Sequence, residues 1–290
     1  MRRAAHRQLA LRETVEVSVL VAVLVSLLAG LVAVTVVMGA AALRSRQLDK
    51  AAVVDVAWGL GFVMVALAAA VVGAVLDEGT QWRRWLLAGL VAVWGLRLSW
   101  YIRGRAVGDH GGKEDPRYAE MLGGAPSEVG MRTVVRRVFF IQGISLWFVA
   151  GPVMLGAVLS VRWWPVVVAG VVVWATGLLF EAVGDRQMEV YKARPRETRP
   201  QVMDTGLWRY TRHPNYFGDA CIWWGLWLTG GLASGWVVGL VTVLCPVAMT
   251  YFVYQVTGAK LLEKTMMQRP GYPEYAARTS MFVPLPPKKG

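Results

Sequence analysis

VSVLVAVLVSLLAGLVAVTVVMGAAAL, spanning Val17–Leu43, runs without a single charged side chain. About 20 apolar residues in an α-helix cross the hydrocarbon core of a bilayer, and a helix satisfies its own backbone there. The run therefore predicts a spanning helix. It is almost all Val, Leu and Ala, so it carries no chemistry. Further runs read the same way: Ala52–Leu76, Trp85–Ile102, Val138–Leu159, Trp164–Val183, Tyr216–Leu232 and Trp236–Val256. The expected fold is an all-α integral membrane protein, a seven-transmembrane helix bundle over residues 17–259. An N-terminal tail (1–16) precedes it, and a turn-rich cytoplasmic tail (260–290) closes under it.

Composition agrees. Of 290 residues 56% are hydrophobic and only 17% charged, with 14 Trp, and the mean hydropathy is +0.44. A net charge of +12 on such a chain reads as cytoplasmic loops and contact with membrane lipids, not as a nucleic-acid surface. Cys221 and Cys245 lie in apolar runs and are expected as buried thiols, and the three His have no zinc-like spacing. The start Met1-Arg2-Arg3 resembles a signal n-region, but the apolar run behind it is long and lacks a clear cleavage site, so it is read as a retained first helix.

Basic residues cluster in alternate connections: Arg44, Arg46 and Lys50; Arg103 to Arg137; and Arg186 to Arg212. The intervening connections are poorer, with Asp77, Glu78, Arg83 and Arg84, then Arg162, then the uncharged Thr229–Gly235. The positive-inside rule places the basic side and the C-terminus in the cytoplasm and the N-terminus outside. Arg2, Arg3, Arg7 and Arg12 pull the other way.

The chemistry gathers at the basic end. Gly206–Asp219 sets Arg209, Arg212, His213, Asn215, Tyr216 and Asp219 against a Trp-rich apolar segment, with Pro214 reading as the first residue of a helix. Guanidinium groups beside a helix N-terminus suit an anion; an interface anchor is the alternative. Glu181, Asp185 and Lys192 fall on one helical face just before this stretch, and an acid at the depth of Glu181 calls for a partner or a hydroxyl-rich ligand such as a ribose. Trp94, Arg97 and Tyr101 share a face of the third span, which leaves the membrane at Arg103-Gly104-Arg105. Asp55 lies near the start of the second span, where an acid needs a polar surrounding, and Gln142 reads as an amide inside the fourth. No nucleophile elbow, P-loop, metal motif or dinucleotide glycine fingerprint is present.

Taken in order, Asp55-x-x-Trp58-Gly59, Trp94-Gly95-x-Arg97-Leu98, Glu114-Asp115-x-Arg117-Tyr118, Glu181-x-x-x-Asp185-x-Gln187, the Gly206–Asp219 stretch, Gly271-Tyr272-x-x-Tyr275 and Phe282-Val283-Pro284 resemble a bacterial membrane family of undefined substrate that is grouped with the steroid 5α-reductases. The resemblance covers about residues 50–287. It implies seven helices, NADPH in the cytoplasmic half, and reduction of an activated C=C bond in a steroid- or isoprenoid-like lipid. By position it implies cofactor contacts at Arg103, Arg105, Glu181, Asp185, Lys192, Asn215, Tyr216 and Asp219; Arg209 and Arg212 are read as further phosphate contacts, and His213, Glu263 and Tyr272 as candidate cofactor contacts. The steroid enzymes place a Gln-Glu pair on helix two and a Tyr on helix three around the substrate; here those regions offer Asp55 and Trp94. Asp55 is then the first candidate for the acid that polarises a carbonyl, with Tyr101 and Tyr118 behind it, and Trp58, Trp94 and Gln142 are candidate substrate contacts. The rival is a methyltransferase using S-adenosylmethionine, since Arg212-His213-Pro214-x-Tyr216 also resembles the isoprenylcysteine carboxyl methyltransferases. A transporter would call for broken helices in matching halves, which the sequence does not show.

Overall fold

The computed structural model describes residues 2–108, 114–256 and 258–288, with side chains from residue 18 onward except at 106–108. Met1, His110 and Lys113, and the side chains of His6 and the N-terminal arginines, lie outside what is described. Every regular element among the described residues is helical. The chain divides into two units, residues 1–163 with 233–236 and residues 164–232 with 237–290.

The first unit opens with α1 (Arg2–Leu48), followed by α2 (Val53–Val75) and α3 (Gln81–Gly108). The first sixteen residues, expected as a tail, continue the first spanning helix from Arg2 onward. Short helices α4 (Pro116–Leu122), α5 (Pro126–Val129) and α6 (Met131–Val134) lead through a π-turn at Val135–Phe139 into α7 (Phe140–Val149) and α8 (Gly151–Val158). The α7–α8 axis bends by 44°, where Pro152 in the first turn of α8 cannot donate its missing N–H. Packing of α2 on α3 depends on two glycines. A Cβ on Gly59 would sit 2.4 Å from the Gly95 carbonyl oxygen, and one on Gly95 2.6 Å from that of Gly59. Small residues let helix backbones meet where lipid provides no hydrophobic drive. Arg83 and Arg84, counted above as loop charges, are instead buried in the first turn of α3. Arg83 donates to Ser234 Oγ at 2.9 Å and to the Leu159 carbonyl at 2.6 Å, while Arg84 donates to the Glu78 carbonyl at 2.6 Å. Their charge is used inside the unit.

The second unit holds α9 (Trp164–Ala193) and α10 (Pro214–Leu226), then α11 (Trp236–Thr242), α12 (Leu244–Tyr251), α13 (Ala259–Met266) and α14 (Tyr272–Arg278), with α11 starting one residue before the unit resumes. Pro214 is the first residue of α10, as the sequence predicts. Antiparallel α9 and α10 touch through glycines at matched seven-residue intervals, Gly170 against Gly225 and Gly177 against Gly218. The tail forms α13 and α14, then an extended run whose Ser280 bridges Thr211 in parallel. Arg212 N–H donates to the Ser280 carbonyl at 2.9 Å, and the Thr211 hydroxyl donates to that of Phe282 at 2.8 Å. The tail is thereby tied to the Gly206–Asp219 stretch.

Among the described residues five helices are long and apolar enough to cross a membrane, or six if the bent α7–α8 pair counts as one. The expected run Tyr216–Leu232 is the one that falls short. Its α-helix is 13 residues, continued by a π-turn at Trp227–Gly231, and its first two turns carry the polar Asn215 and Asp219.

Candidate functional site

Two polar networks stand out, one in each unit. In the first, α2 begins with an open backbone: its leading N–H groups have no intrahelical acceptor. The Glu114 carboxylate accepts from Ala51 N–H and, at 3.2 Å, from Ala52 N–H just before α2. Asp115 caps α4, accepting from Arg117 N–H at 2.9 Å. Arg117 then bridges two acids, donating to Asp115 Oδ2 at 2.9 Å and to Asp55 Oδ2 at 3.1 Å. On its other oxygen Asp55 accepts the Tyr118 hydroxyl at 2.5 Å, and Gln142 Nε2 donates to that hydroxyl at 3.0 Å. The Glu114-Asp115-x-Arg117-Tyr118 segment therefore closes the start of α2 and ties it to α7.

This network relocates Asp55. It sits in the first turn of α2, where an acid is favoured by the helix end, and not deep in the span. It accepts from two donors, the Arg117 guanidinium and the Tyr118 hydroxyl. Burial, with the Asp55 carboxylate adding to it, pushes the Tyr118 hydroxyl well above the ordinary tyrosine range. The hydrogen bond to Asp115 raises the Arg117 guanidinium further above its ordinary range.

The other first-unit candidates take different places. Trp94 is fully buried and packs edge-on against Phe62 at 5.6 Å, and Phe62 in turn meets Trp58 at 5.2 Å. Trp94 is thus a core residue of the unit, because a fully covered indole presents no surface to a substrate. Tyr101 lies under two guanidiniums of its own helix, Arg97 at 6.0 Å and Arg105 at 5.8 Å. Arg103 and Arg105 are exposed at the end of α3.

In the second unit Glu263 is the hub. Arg212 grips it with Nε at 2.9 Å on Oε1 and Nη2 at 2.9 Å on Oε2. His213 Nε2 lies 3.0 Å from Oε1, and the Tyr272 hydroxyl donates to the same oxygen at 2.7 Å. Four contacts match the acceptor capacity of a carboxylate. Arg212 Nη1 is also used, donating to the carbonyls of Ala276 at 2.9 Å and Thr279 at 2.6 Å. His213 is buried and stacks on Tyr216 at 5.4 Å. Burial raises the Tyr272 hydroxyl, and its bond to Glu263 adds to the shift. Arg212, His213, Glu263 and Tyr272, read from sequence as cofactor contacts, thus form a clamp that fastens the tail to the start of α10.

Beside this clamp, α9 contributes Glu181 and Asp185, each only 4% exposed. Asn215 Nδ2 donates to Asp185 Oδ1 at 3.3 Å. Gly206–Arg209 forms a 3-10 turn held on α9, with Leu207 N–H donating to Gln187 Oε1 at 3.0 Å and Trp208 Nε1–H to the Gly184 carbonyl at 3.1 Å. A cavity of about 280 Å³ lies along a different face of α9, lined by Arg186, Gln187, Tyr191, Arg194, Met203 and neighbours. Lys192 is exposed on the last turn of α9, and Arg209 lines a second cavity on the far side of Asp204 and Thr205. Asp219, on α10, is half-buried. The sequence reading passed over Arg117, Asp204 and Tyr275, whose hydroxyl donates to the Trp208 carbonyl. Only the acidic-basic alternation at 114–117 could have flagged the first of them. Among the described residues no group of three or more His, Cys, Asp or Glu is placed to hold a metal.

Residues 42–279 match the model of a family described as a protein of unknown function (DUF1295). No curated protein and no solved structure matches the chain.

Proposed function

This chain belongs to the DUF1295 family, and we propose that it is a membrane reductase that uses NADPH to saturate a C=C bond of a steroid- or isoprenoid-like lipid. One observation carries the reading: Glu181 and Asp185 are buried on one face of α9 with the Asn215 amide against Asp185. Carboxylates accept hydrogen bonds, and ribose hydroxyls or a carboxamide can donate them, which supports a dinucleotide as the ligand. Glu181, Asp185, Asn215 and Asp219 would hold its sugar and amide groups, and Lys192 would face its phosphates.

NADPH supplies a hydride when bound. The chain's part is to polarise the substrate and deliver a proton. Tyr118 is the proton donor in this reading, with Gln142 holding its oxygen and Asp55, anchored by Arg117, setting the direction of its O–H. Asp55, first candidate in the sequence, becomes the residue that positions Tyr118. Trp58 remains a substrate contact. The reading also takes α10 and its π-turn as a short seventh crossing, with the N-terminus outside and the C-terminus cytoplasmic in the cell's inner or plasma membrane.

The S-adenosylmethionine methyltransferase is the second reading, and one observation favours it: Arg212, His213 and Glu263, on which it rests, are joined in a single network. Against it, the Glu263 charge is already compensated by the Arg212 guanidinium, which leaves a sulfonium cation little free negative charge to meet. Titration of the purified protein with NADPH and with S-adenosylmethionine separates the two, and mass spectrometry of co-purified dinucleotide supports the first. Binding of S-adenosylmethionine alone overturns the reductase.

A further inference from the structure

The second cavity, about 530 Å³, brings Arg209, Arg278 and Lys288 together with the polar Thr205 and Thr279 and a single acid, Asp204. Asp204 is committed, since Arg278 Nη2 donates to its Oδ2 at 2.5 Å. The side chains of Arg209 and Lys288 have no hydrogen bond or ion pair among the described residues. Three cations against one engaged carboxylate leave a positive chamber with two cations to spare.

Its depth follows from α9. Counting from Trp164, about 20 residues at 1.5 Å each cover the ~30 Å hydrocarbon core and end near Val183. Trp164 itself is 67% exposed, as an interfacial aromatic at the opposite surface would be. The residues just past Val183 are the ones that hold the Gly206–Arg209 turn: Gly184 and Gln187. Arg209 therefore stands at headgroup level. The flank of the chamber is apolar and open. Val283 and Leu285 are 52% and 53% exposed, and Leu285 N–H donates to the carbonyl of Tyr210, itself 43% exposed. Cations in a pocket with bare aliphatic side chains beside it, at this depth, match a phosphate with an acyl chain attached better than a free anion.

We propose that this cavity binds the phosphate of an anionic phospholipid headgroup. The site is independent of the reductase reading, and failure of NADPH to bind would leave it untouched. The full-length protein is presented with phosphatidylglycerol and phosphatidylcholine at equal mole fraction, and the retained lipid is counted by native mass spectrometry. Preferential retention of phosphatidylglycerol is expected. The double variant Arg209→Gln/Lys288→Gln should lower that preference by roughly thirtyfold, whereas Arg209→Lys/Lys288→Arg, which keeps both charges, should retain it. Equal retention of the two lipids by the unaltered protein overturns the proposal, as does an undiminished preference in the Gln variant. A third arm adds inorganic phosphate: its stoichiometric displacement of the lipid would assign the chamber to a soluble phosphate and overturn the lipid assignment. Unchanged thermal melting of the variants ties any loss to the site; should the Gln pair not fold, Lys288→Gln alone, in the exposed tail, must lower the preference or the proposal falls.

Discussion

The Tyr118 hydroxyl donates to Asp55 Oδ1 at 2.5 Å across 63 residues of chain, while Arg117, its neighbour, takes the other carboxylate oxygen. One loop thus supplies both donors to one acid. With Tyr118 as the proton donor, Tyr118→Phe should lower turnover by roughly 10²–10⁴-fold, the usual contribution of a general acid. NADPH affinity should not change. Asp55→Asn removes the anion that aims the hydroxyl and should depress turnover with the same unaltered cofactor binding. Steady-state rates with a matched NADPH titration check both; full activity in Tyr118→Phe removes Tyr118 from the mechanism.

A different outcome is expected at Arg212. The sequence grouped it with phosphate ligands, but its guanidinium is spent on Glu263 and two tail carbonyls. Arg212→Ala would leave the Glu263 carboxylate buried without its main counter-charge, a change that costs roughly 3–5 kcal/mol in such pairs. Thermal unfolding in detergent should show a large loss of stability. Glu263→Gln with Arg212→Ala should recover part of it, because the neutral amide no longer needs the cation. Weakened NADPH binding in a variant that melts normally would instead restore Arg212 to the cofactor site.

How much of this was readable from the chain depends on distance. Val17–Leu43, Ala52–Leu76 and Trp164–Val183 were legible because an apolar run of spanning length has one stable arrangement in a bilayer; α1 and α9 contain the first and third, and α2 covers the second except for its two end residues. Tyr216–Leu232 was less legible, because its α-helix ends at Leu226 and passes into a π-turn at Trp227–Gly231 that no sequence pattern announces. The helical continuation from Arg2 to Glu16 was hidden by charge density, which reads as a tail. Pro214 was legible from local chemistry alone. Glu263 was named, but not as the partner of Arg212, since 51 residues separate them and no local pattern reports such a pairing. The burial of Trp94 was invisible for the same reason: a face of α3 is known only once α2 lies on it.

Helix contact in the second unit can be tested at single glycines. A Cβ on Gly177 would come within 2.5 Å of the Gly218 carbonyl oxygen and 2.7 Å of Ile222 N; one on Gly218 would come within 2.5 Å of the Gly177 carbonyl oxygen and 2.6 Å of Glu181 N. These neighbours are backbone atoms and cannot swing aside, so α9 and α10 must part. Gly177→Ala and Gly218→Ala should each destabilise by about 1–3 kcal/mol, despite the higher helix propensity of alanine. Gly104→Ala, where nothing lies within 4 Å of a built Cβ, should be neutral or mildly stabilising. Thermal melts of the three variants make the comparison, and a harmless Gly177→Ala would contradict the packing.

The clamp also sets a pH dependence. Tyr272 and Tyr275 are both shifted upward, by burial first and, for Tyr272, by the bond it donates to Glu263. A tyrosine whose pKa is higher folded than unfolded favours the folded state most while its hydroxyl stays neutral. The contribution is complete below about pH 10, the unfolded value, and is lost as pH rises above it, because the unfolded chain releases protons that the folded chain retains. Melting temperature should therefore fall above about pH 10. In Tyr272→Phe it should start lower, for want of the hydrogen bond to Glu263, and fall less steeply, for want of the titrating group. Melts across alkaline pH give both quantities; parallel slopes in the two proteins would show that Tyr272 ionises as freely when folded as when unfolded, and would break the link between its burial and the stability of the clamp.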